Sequence, residues 1–377
     1  MWSFYTCRVT VAPRHVAGLC AFALTVGALG GCASDGRPRY RMGMLPFPGA
    51  LSMYMPVEAE QLGHHRYDHW HRDPFGKQCL DRGILYTCRA GFLDVAHVRT
   101  AADWTRYSHG LIQEAFENSS PRVSFKGPDG GRYELVIFYP PGWGRYARDD
   151  ATTEYAVRLA QHVSCVVLLW HEVATWYGQR TVFLISEAGS AFTCDDIVSH
   201  MVGAEVAGRA LRRPELAYDD AVTEELVREL DALGARPLDV LQEAARAVEG
   251  VWWSGVEAKR RHLDSGIDGR PVVPWIVEGL AACEGAAPNG YQLPPLHDIM
   301  GRDYSRMCQI LIRPQSGPMR RIYGSDQPRP AYLRADTDLP AIIEQVRQEI
   351  LNAYGPDADK PYPPAASIEA GPRSEGD

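Results

Sequence analysis

Residues 152–177 read TTEYAVRLAQHVSCVVLLWHEVATWY, and this stretch decides the fold class. Its apolar residues recur at three- and four-residue spacing, which is the period of a largely buried α-helix. The same period recurs along the rest of the chain, at residues 101–118, 195–211, 219–233, 237–251 and 339–354. The sequence therefore predicts a protein built mainly of α-helices.

One β-hairpin interrupts these helices. Residues 122–125 and 132–139 alternate apolar and polar side chains on either side of GPDGG at 127–131, which is a turn sequence. Residues 265–327 contain many Pro and Gly residues and are predicted to form long ordered loops. The predicted fold class is mainly α with a small antiparallel β element (α+β), in a single globular domain over residues 59–354.

The composition limits the class of partner. The chain has 377 residues, of which 45% are hydrophobic, and this is ample apolar material for a core. Its 47 acidic and 39 basic residues give a formal net charge of −8, and no block of Lys and Arg stands out. A surface that follows nucleic-acid phosphates needs the opposite charge, so we expect no nucleic-acid partner.

The first 32 residues have the organisation of a bacterial export signal. Arg8 and Arg14 precede an apolar run at residues 16–28, which is too short to span a bilayer stably. The run ends in LGGC at 29–32, which resembles the lipobox, where a small residue precedes a cysteine that is acylated. We therefore predict a signal peptide over residues 1–31 and a lipid anchor, palmitate included, on Cys32.

The segments that flank the predicted domain lack periodicity. Residues 32–58 are predicted to be a lipidated tether, and residues 355–377, rich in Pro, Asp and Ala, a disordered tail. By the rule for such lipoproteins, Ala33 and Ser34 do not retain the protein in the inner membrane. The predicted location is the outer membrane of a double-membraned bacterium, facing the periplasm, with the membrane as a partner through the lipid.

The cysteines fit an oxidising compartment. Of nine, two leave with the signal peptide and Cys32 is acylated, so six remain: Cys79, Cys88, Cys165, Cys194, Cys283 and Cys308. An even number permits disulfides in several connectivities. The pairs near in sequence, Cys79 with Cys88 and Cys283 with Cys308, are the predicted ones. Cys165 lies in an apolar helix and is predicted to be a buried thiol.

The central helix carries a His-Glu pair, His171 and Glu172. Zinc proteases use His-Glu-x-x-His, because residues four apart share a helix face and both imidazoles reach one metal. Thr175 stands where the second His would be, so the motif is incomplete. A buried Glu172 must still be paired, protonated or bound to a cation, since an uncompensated carboxylate is costly. A catalytic Glu172 and a Glu172 satisfied by a neighbouring Arg or helix cap both stay open.

A second candidate pair is Asp196 and His200. Because they are four residues apart, they share a helix face and could both bind a metal. Thr193 and Asp196 also resemble a capping box, with Asp in place of Glu, which accounts for Asp196 without a ligand role. It does not account for His200.

A third candidate pair is Asp94 and His97, with Arg99 nearby. At the start of a helix this spacing places both side chains toward the same side. Three imidazoles and a carboxylate can form a closed or catalytic zinc site, and zinc is the predicted cofactor. The candidate metal ligands are His97, His171, His200, Asp94 and Asp196.

These segments also carry a family resemblance. After the lipobox come YTCRAGFLDVAHVR at 86–99, HE and TWYG within 171–178, and SAF at 190–192 leading to an Asp pair. This order is similar to that of the bacterial lipoprotein family known as domain of unknown function 4056, over about residues 60–350. The family pattern more often has Ser-Asn where this chain has Ser199-His200. The resemblance implies a location in the cell envelope but no reaction.

Three functions remain open. In the first, the protein is a metal-dependent hydrolase of an envelope peptide, glycan or lipid, with Glu172 as general acid or base. In the second, it is a non-enzymatic envelope scaffold or binding lipoprotein. In the third, Glu172 cleaves a glycan without a metal, its pKa raised beside Trp170 and Trp176. If three candidate side chains converge on a point that solvent can reach, an enzymatic function is favoured. If they pair with one another within a packed core, the non-enzymatic scaffold is favoured.

Overall fold

The computed structural model describes residues 36–38, 41, 43–47, 54–67, 82–179, 188–255 and 257–362. The predicted signal peptide and Cys32 lie outside these residues. All the elements below belong to one compact unit, which begins at residue 38. Among the described helices, none is both long and apolar enough to cross a membrane.

The described part is mainly helical with small antiparallel sheets, so the predicted α+β class is confirmed. The helices are α1 Val95–Asn118, α2 Asp150–Trp176, α3 Asp196–Leu211, α4 Tyr218–Leu233, α5 Leu238–Ala247, α6 Ser316–Tyr323 and α7 Asp338–Tyr354. The strands are β1 Ile84–Thr87, β2 Gly91–Asp94, β3 Arg122–Lys126, β4 Arg132–Ile137, β5 Ala235–Arg236, β6 Trp253–Ser254, β7 Glu257–Ala258, β8 Cys308–Arg313 and β9 Leu333–Arg334. The five longest helices begin and end within a few residues of the predicted positions, except that α1 begins earlier.

The core is built around α3, which packs against α1, α2 and α4. Gly203 of α3 lets it approach α1 closely, because a Cβ at this position would overlap the carbonyl oxygen of Val98. Asp94 caps α1 by accepting a hydrogen bond from the backbone N of Ala96 at 2.7 Å. The three helices that carry the candidate residues are therefore held side by side.

The predicted hairpin is present and is fixed to α2. β3 and β4 pair in antiparallel register, and β8 and β9 extend the sheet in the order β3-β4-β8-β9. In the turn, the buried Asp129 accepts hydrogen bonds from Gly131 N at 3.0 Å, Tyr133 OH at 3.0 Å and Trp170 Nε1 at 3.2 Å. One carboxylate thus joins the turn, β4 and α2.

Seven of the nine described strands were not predicted. β1 and β2 form an antiparallel pair with Ile84 opposite Asp94, and β5 joins β1. β8 and α6 lie within residues 265–327, which the sequence predicts as loops. These strands are short and depend on partners far along the chain, so the local sequence pattern does not reveal them.

The predicted disulfide pairs are wrong. Cys88 is bonded to Cys283, 195 residues away, with 5.1 Å between their Cα atoms. The fold brings the β1–β2 turn against the loop at residues 281–283, and this proximity in space outweighs proximity in sequence. Cys79 lies outside the described residues. Cys165 is a buried free thiol, as predicted, and Cys194 and Cys308 are also free.

The predicted tether, residues 32–58, contributes to the core. Met44 and Phe47 are buried in an apolar cluster. Val57 is buried too, and its backbone N donates to Ile84 O at 2.9 Å. The globular body therefore starts before residue 59. A segment without regular secondary structure shows no periodicity even when some of its side chains are buried, so the sequence pattern does not reveal these contacts.

The predicted tail, residues 355–377, also begins inside the globular body. Ala358 is buried, and Trp252 Nε1 donates to Pro361 O at 2.7 Å. The body thus extends to residue 362 at least, and residues 363–377 lie outside the described part of the chain.

Candidate metal centre

The first wall of the site is the junction of β2 with α1. Asp94 is the last residue of β2 and His97 lies in the first turn of α1. Their side chains lie on the same side, as predicted, with 3.7 Å between His97 Nδ1 and Asp94 Oδ2. Asp94 Oδ2 also accepts a hydrogen bond from Met44 N at 2.5 Å. The strand end, the helix start and the segment around residue 44 therefore meet at one carboxylate.

The second wall is the start of α3. Asp196 Oδ1 lies 3.2 Å from His97 Nδ1, and Asp196 Oδ2 accepts a hydrogen bond from Thr193 N at 2.7 Å. The latter bond is one half of the predicted capping box. Asp196 thus orients the imidazole and closes the turn at the same time. Asp195, next to it, is fully buried, which raises the pKa of its carboxylate, whereas Thr193 beside it lowers this pKa.

Three side chains converge on one point. Asp94, His97 and Asp195 each place a ligand atom within 4.8 Å of the other two, and all three are buried. Two of these residues, Asp94 and His97, were predicted as ligands. Asp195 was not, because the four-residue spacing from His200 directed attention to Asp196. The adjacent pair of Asp residues was the signal that could have found it.

The remaining candidates border this cluster. The ring of His200 is centred 5.0 Å from that of His97, and neither His200 nitrogen has a hydrogen-bond partner. Glu172 Oε2 accepts a hydrogen bond from Phe192 N at 3.3 Å. His171 is buried beside them on α2, close enough to His97 for its pKa to be affected. His171 and His200 are not part of the three-residue group.

Burial makes the acids of the cluster hard to ionise. Burial raises the pKa of Asp94. It raises the pKa values of Asp195 and Glu172 well above their usual range, and the negative charge of Asp196 adds to the effect in both. The positive charge of His97 lowers all three pKa values but does not outweigh burial.

The imidazoles divide into one cation and two neutral rings. Burial lowers the pKa of His97, but Asp94 and Asp196 outweigh it and raise this pKa to about 10. Burial and the charge of His97 lower the pKa of His171 to about 4 and that of His200 well below its usual value. His171 and His200 are therefore neutral near pH 7, the form in which imidazole binds metals.

Arg261 is a second buried cation near the cluster. Its guanidinium donates to the carbonyl oxygens of Ala191 and Ala258 and thereby holds the turn that leads to Phe192. Phe192 has a left-handed backbone with a φ of 59°, and its N–H is the donor to Glu172. Arg261 thus fixes the position of Glu172 indirectly. The sequence offered no local signal for this role, because Arg261 is distant from all the candidate motifs.

A segment of the chain covers the cluster. A Cβ added to Gly43 would lie 2.5 Å from His97 Nε2 and 2.8 Å from Asp94 Oδ2. The three residues of the cluster are consequently at most 7% exposed. Asp94, His97 and Asp195 thus converge on one point, as an active site requires. Residues 43–44 cover this point, so that it is not open to solvent.

Comparison with known proteins adds a family. Residues 28–261, more than half of the chain, match the family model described as protein of unknown function (DUF4056). The matched range contains Asp94, His97, Glu172, Asp195 and Arg261. No curated protein and no solved structure matches the chain.

Proposed function

Because the chain belongs to a family of unknown function, DUF4056, we propose its function from the site itself: a metal-dependent hydrolase of the bacterial cell envelope. The observation that carries this proposal is the cluster of Asp94, His97 and Asp195, three buried side chains whose ligand atoms lie within 4.8 Å of one another. Two buried carboxylates at this distance are costly to ionise, and a divalent cation between them would stabilise both.

The donor set fits a divalent metal. Two carboxylates and one imidazole are ligands that suit zinc, and they leave coordination positions for water or substrate. Asp94, His97 and Asp195 would hold the ion, and Asp196 would orient His97 from outside the ligand set. The metal would supply Lewis-acid activation of water and of a carbonyl or phosphoryl group.

Glu172 is the proposed general acid or base. Burial raises its pKa well above the usual range, which favours the protonated carboxyl. The N–H of Phe192 fixes Oε2, which leaves Oε1 as the atom that takes up or gives back the proton. Asp195 and Asp196 lie close enough to affect this pKa, which supports a place for Glu172 beside the metal ligands.

The sequence supports the envelope as the location. The apolar run at 16–28 and the lipobox-like LGGC at 29–32 support an export signal and acylation of Cys32. A protein anchored there, facing the periplasm, meets envelope peptides, glycans and lipids. Membrane and envelope polymer are accordingly its proposed partners.

A scaffold or binding lipoprotein is the second candidate, and the burial of the cluster favours it. Glu172 is only 4% exposed and Asp195 is fully buried, so the same cluster could hold a structural ion. The metal-free glycan enzyme has less support. Trp170 is fully buried and its Nε1 donates to Asp129, so this ring cannot stack on a sugar.

A pair of variants tests the enzymatic proposal. Glu172→Gln removes the acid or base and keeps the shape, whereas Glu243→Gln makes the same change at an exposed position. Hydrolysis of peptidoglycan, envelope peptides and phospholipids by the zinc-loaded wild type identifies the substrate. On it, Glu172→Gln should be slower by about 100-fold or more, with unchanged circular dichroism, and Glu243→Gln should keep its rate. A fully active Glu172→Gln enzyme would exclude the proposed role.

A further inference from the structure

The segment that covers the candidate metal centre, Arg41 with residues 43–47 in the described chain, is bound at three places: at Arg41, at Gly43 and Met44, and at Phe47. At its start, Arg41 donates from Nη2 to Asp103 Oδ2 at 2.7 Å and from its backbone N to Thr100 Oγ1 at 3.2 Å. In its middle, Met44 N donates to Asp94 Oδ2 at 2.5 Å. Both the side chains and the backbone of the segment thus make specific contacts with the body of the protein.

Each place has the properties of a pocket for one kind of residue. The pocket for Arg41 is acidic, because it ends on the fully buried Asp103. The position of Gly43 admits no side chain, because a Cβ there would lie 2.5 Å from His97 Nε2. Specificity for basic and glycine residues would follow from these two features alone.

The third pocket is aromatic. Phe47 stacks on Trp253 with 5.2 Å between the ring centroids and meets Phe92 edge-on at 6.0 Å. Phe47 is only 3% exposed. Backbone hydrogen bonds combined with side-chain pockets are the contacts by which proteins bind peptide segments.

We propose that the segment of residues 41–47 occupies a peptide-binding cleft over the candidate metal centre. The ligands of this cleft are peptides that have a basic residue, a glycine two positions later and bulky apolar residues after the glycine. This segment then acts as a built-in inhibitor that other peptides displace. That such a peptide is also the substrate rests on the proposed function. That the cleft binds the peptide does not depend on the proposed function.

The interactions around Asp103 allow the segment to leave. When Arg41 departs, Asp103 keeps a second partner, because His65 Nε2 lies 3.1 Å from Asp103 Oδ1. Departure of Arg41 therefore leaves the His65 ring as a polar neighbour of that carboxylate. Departure of Met44 likewise frees Asp94 Oδ2, which is a candidate ligand atom for the metal.

The test uses the full chain with a substitution at one glycine, Gly43. Gly43→Val places a side chain against His97 and Asp94 and should expel the segment. Gly110→Val is the matched control, since no atom lies within 4 Å of a Cβ at that position. The probe is a fluorescein-labelled peptide of residues 41–47, RMGMLPF, and binding is followed by fluorescence anisotropy, once with EDTA and once with zinc.

We expect Gly43→Val to bind the peptide at one site, about tenfold or more tightly than the wild type and Gly110→Val do, because its own segment no longer competes. Its melting temperature should fall, because the segment's buried contacts are lost, and the added peptide should restore it. A peptide with Val in place of Gly should not bind. If Gly43→Val unfolds, or folds and binds no peptide, the segment is a permanent part of the core and the inference is overturned.

Hydrogen exchange of the wild type gives a second, independent test. The Met44 amide should exchange through a local opening, faster than the amides in the middle of α1. Equal protection of both would overturn the inference. If the protein binds the peptide but takes up no metal even when zinc is supplied, the proposed hydrolase is contradicted and the peptide-binding cleft is supported. The failure of the proposed function and the failure of this inference are therefore distinguishable.

Discussion

We expect the metal-free protein to lose stability as the pH rises from about 7 to about 8, and His97 to be the main cause. Burial lowers the pKa of His97, but Asp94 and Asp196 outweigh burial and raise it to about 10 from 6.5. A group with a raised folded pKa gives stability that is fully present below its unfolded pKa and is lost as the pH rises toward its folded pKa. In this interval the folded state keeps a proton that the unfolded state has released.

The size of the effect follows from this one proton. A difference of one bound proton changes the free energy of unfolding by about 1.4 kcal/mol per pH unit. Glu172 and Asp195 act in the same direction, because burial and the charge of Asp196 raise their pKa values. His171 and His200 do not contribute in this interval. Their lowered pKa values make them neutral in the folded state, and they are largely neutral in the unfolded state as well.

Urea unfolding of EDTA-treated protein, followed by tryptophan fluorescence at both pH values, measures this loss. His97→Gln should remove about 1.4 kcal/mol of the pH dependence. His297→Gln is the matched control, because this histidine lies at an exposed position. Saturating zinc should reduce or reverse the slope, since metal ligands bind in their deprotonated forms. A stability that is constant or rises over this interval, or an unchanged slope in His97→Gln, would refute the reasoning.

Two further predictions concern the disulfide and the anchor. Cys88→Ser should lower the free energy of unfolding by about 2 to 5 kcal/mol, because the bond between Cys88 and Cys283 closes a long loop. Reductant should destabilise the wild type by a similar amount and leave the variant unchanged. Equal stability of the wild type and the variant in urea would contradict the Cys88–Cys283 pairing. Cys32→Ala should abolish palmitate labelling in a bacterial host and release the protein from the membrane fraction, and continued labelling would exclude Cys32 as the anchor.

The helices and the hairpin could be predicted because their signals are local. The 3.6-residue period of residues 152–177 and the turn sequence at 127–131 each indicate one structure regardless of the rest of the chain. The disulfide between Cys88 and Cys283 and the pairing of β4 with β8 depend on the packing of distant segments. No local pattern carries that information.

The candidate site was partly predictable for the same reason. Asp94 and His97 are close in sequence and lie together at one helix start, so their spacing revealed them. Asp195 joins them only because α3 packs against α1. The cover provided by Gly43 could not be predicted, because residues 41–47 lack periodicity and lie far from the site in sequence.

The metal content of the protein tests the central claim most directly. The chain from residue 33 onward, purified without a histidine tag and equilibrated with zinc, should contain about one metal ion by mass spectrometry. Asp195→Asn should lose it, because its amide is a far weaker ligand, whereas Asp231→Asn, an identical change at an exposed position, should keep it. A wild type that binds no metal, or an Asp195→Asn variant that retains it in full, would contradict a metal centre at Asp94, His97 and Asp195.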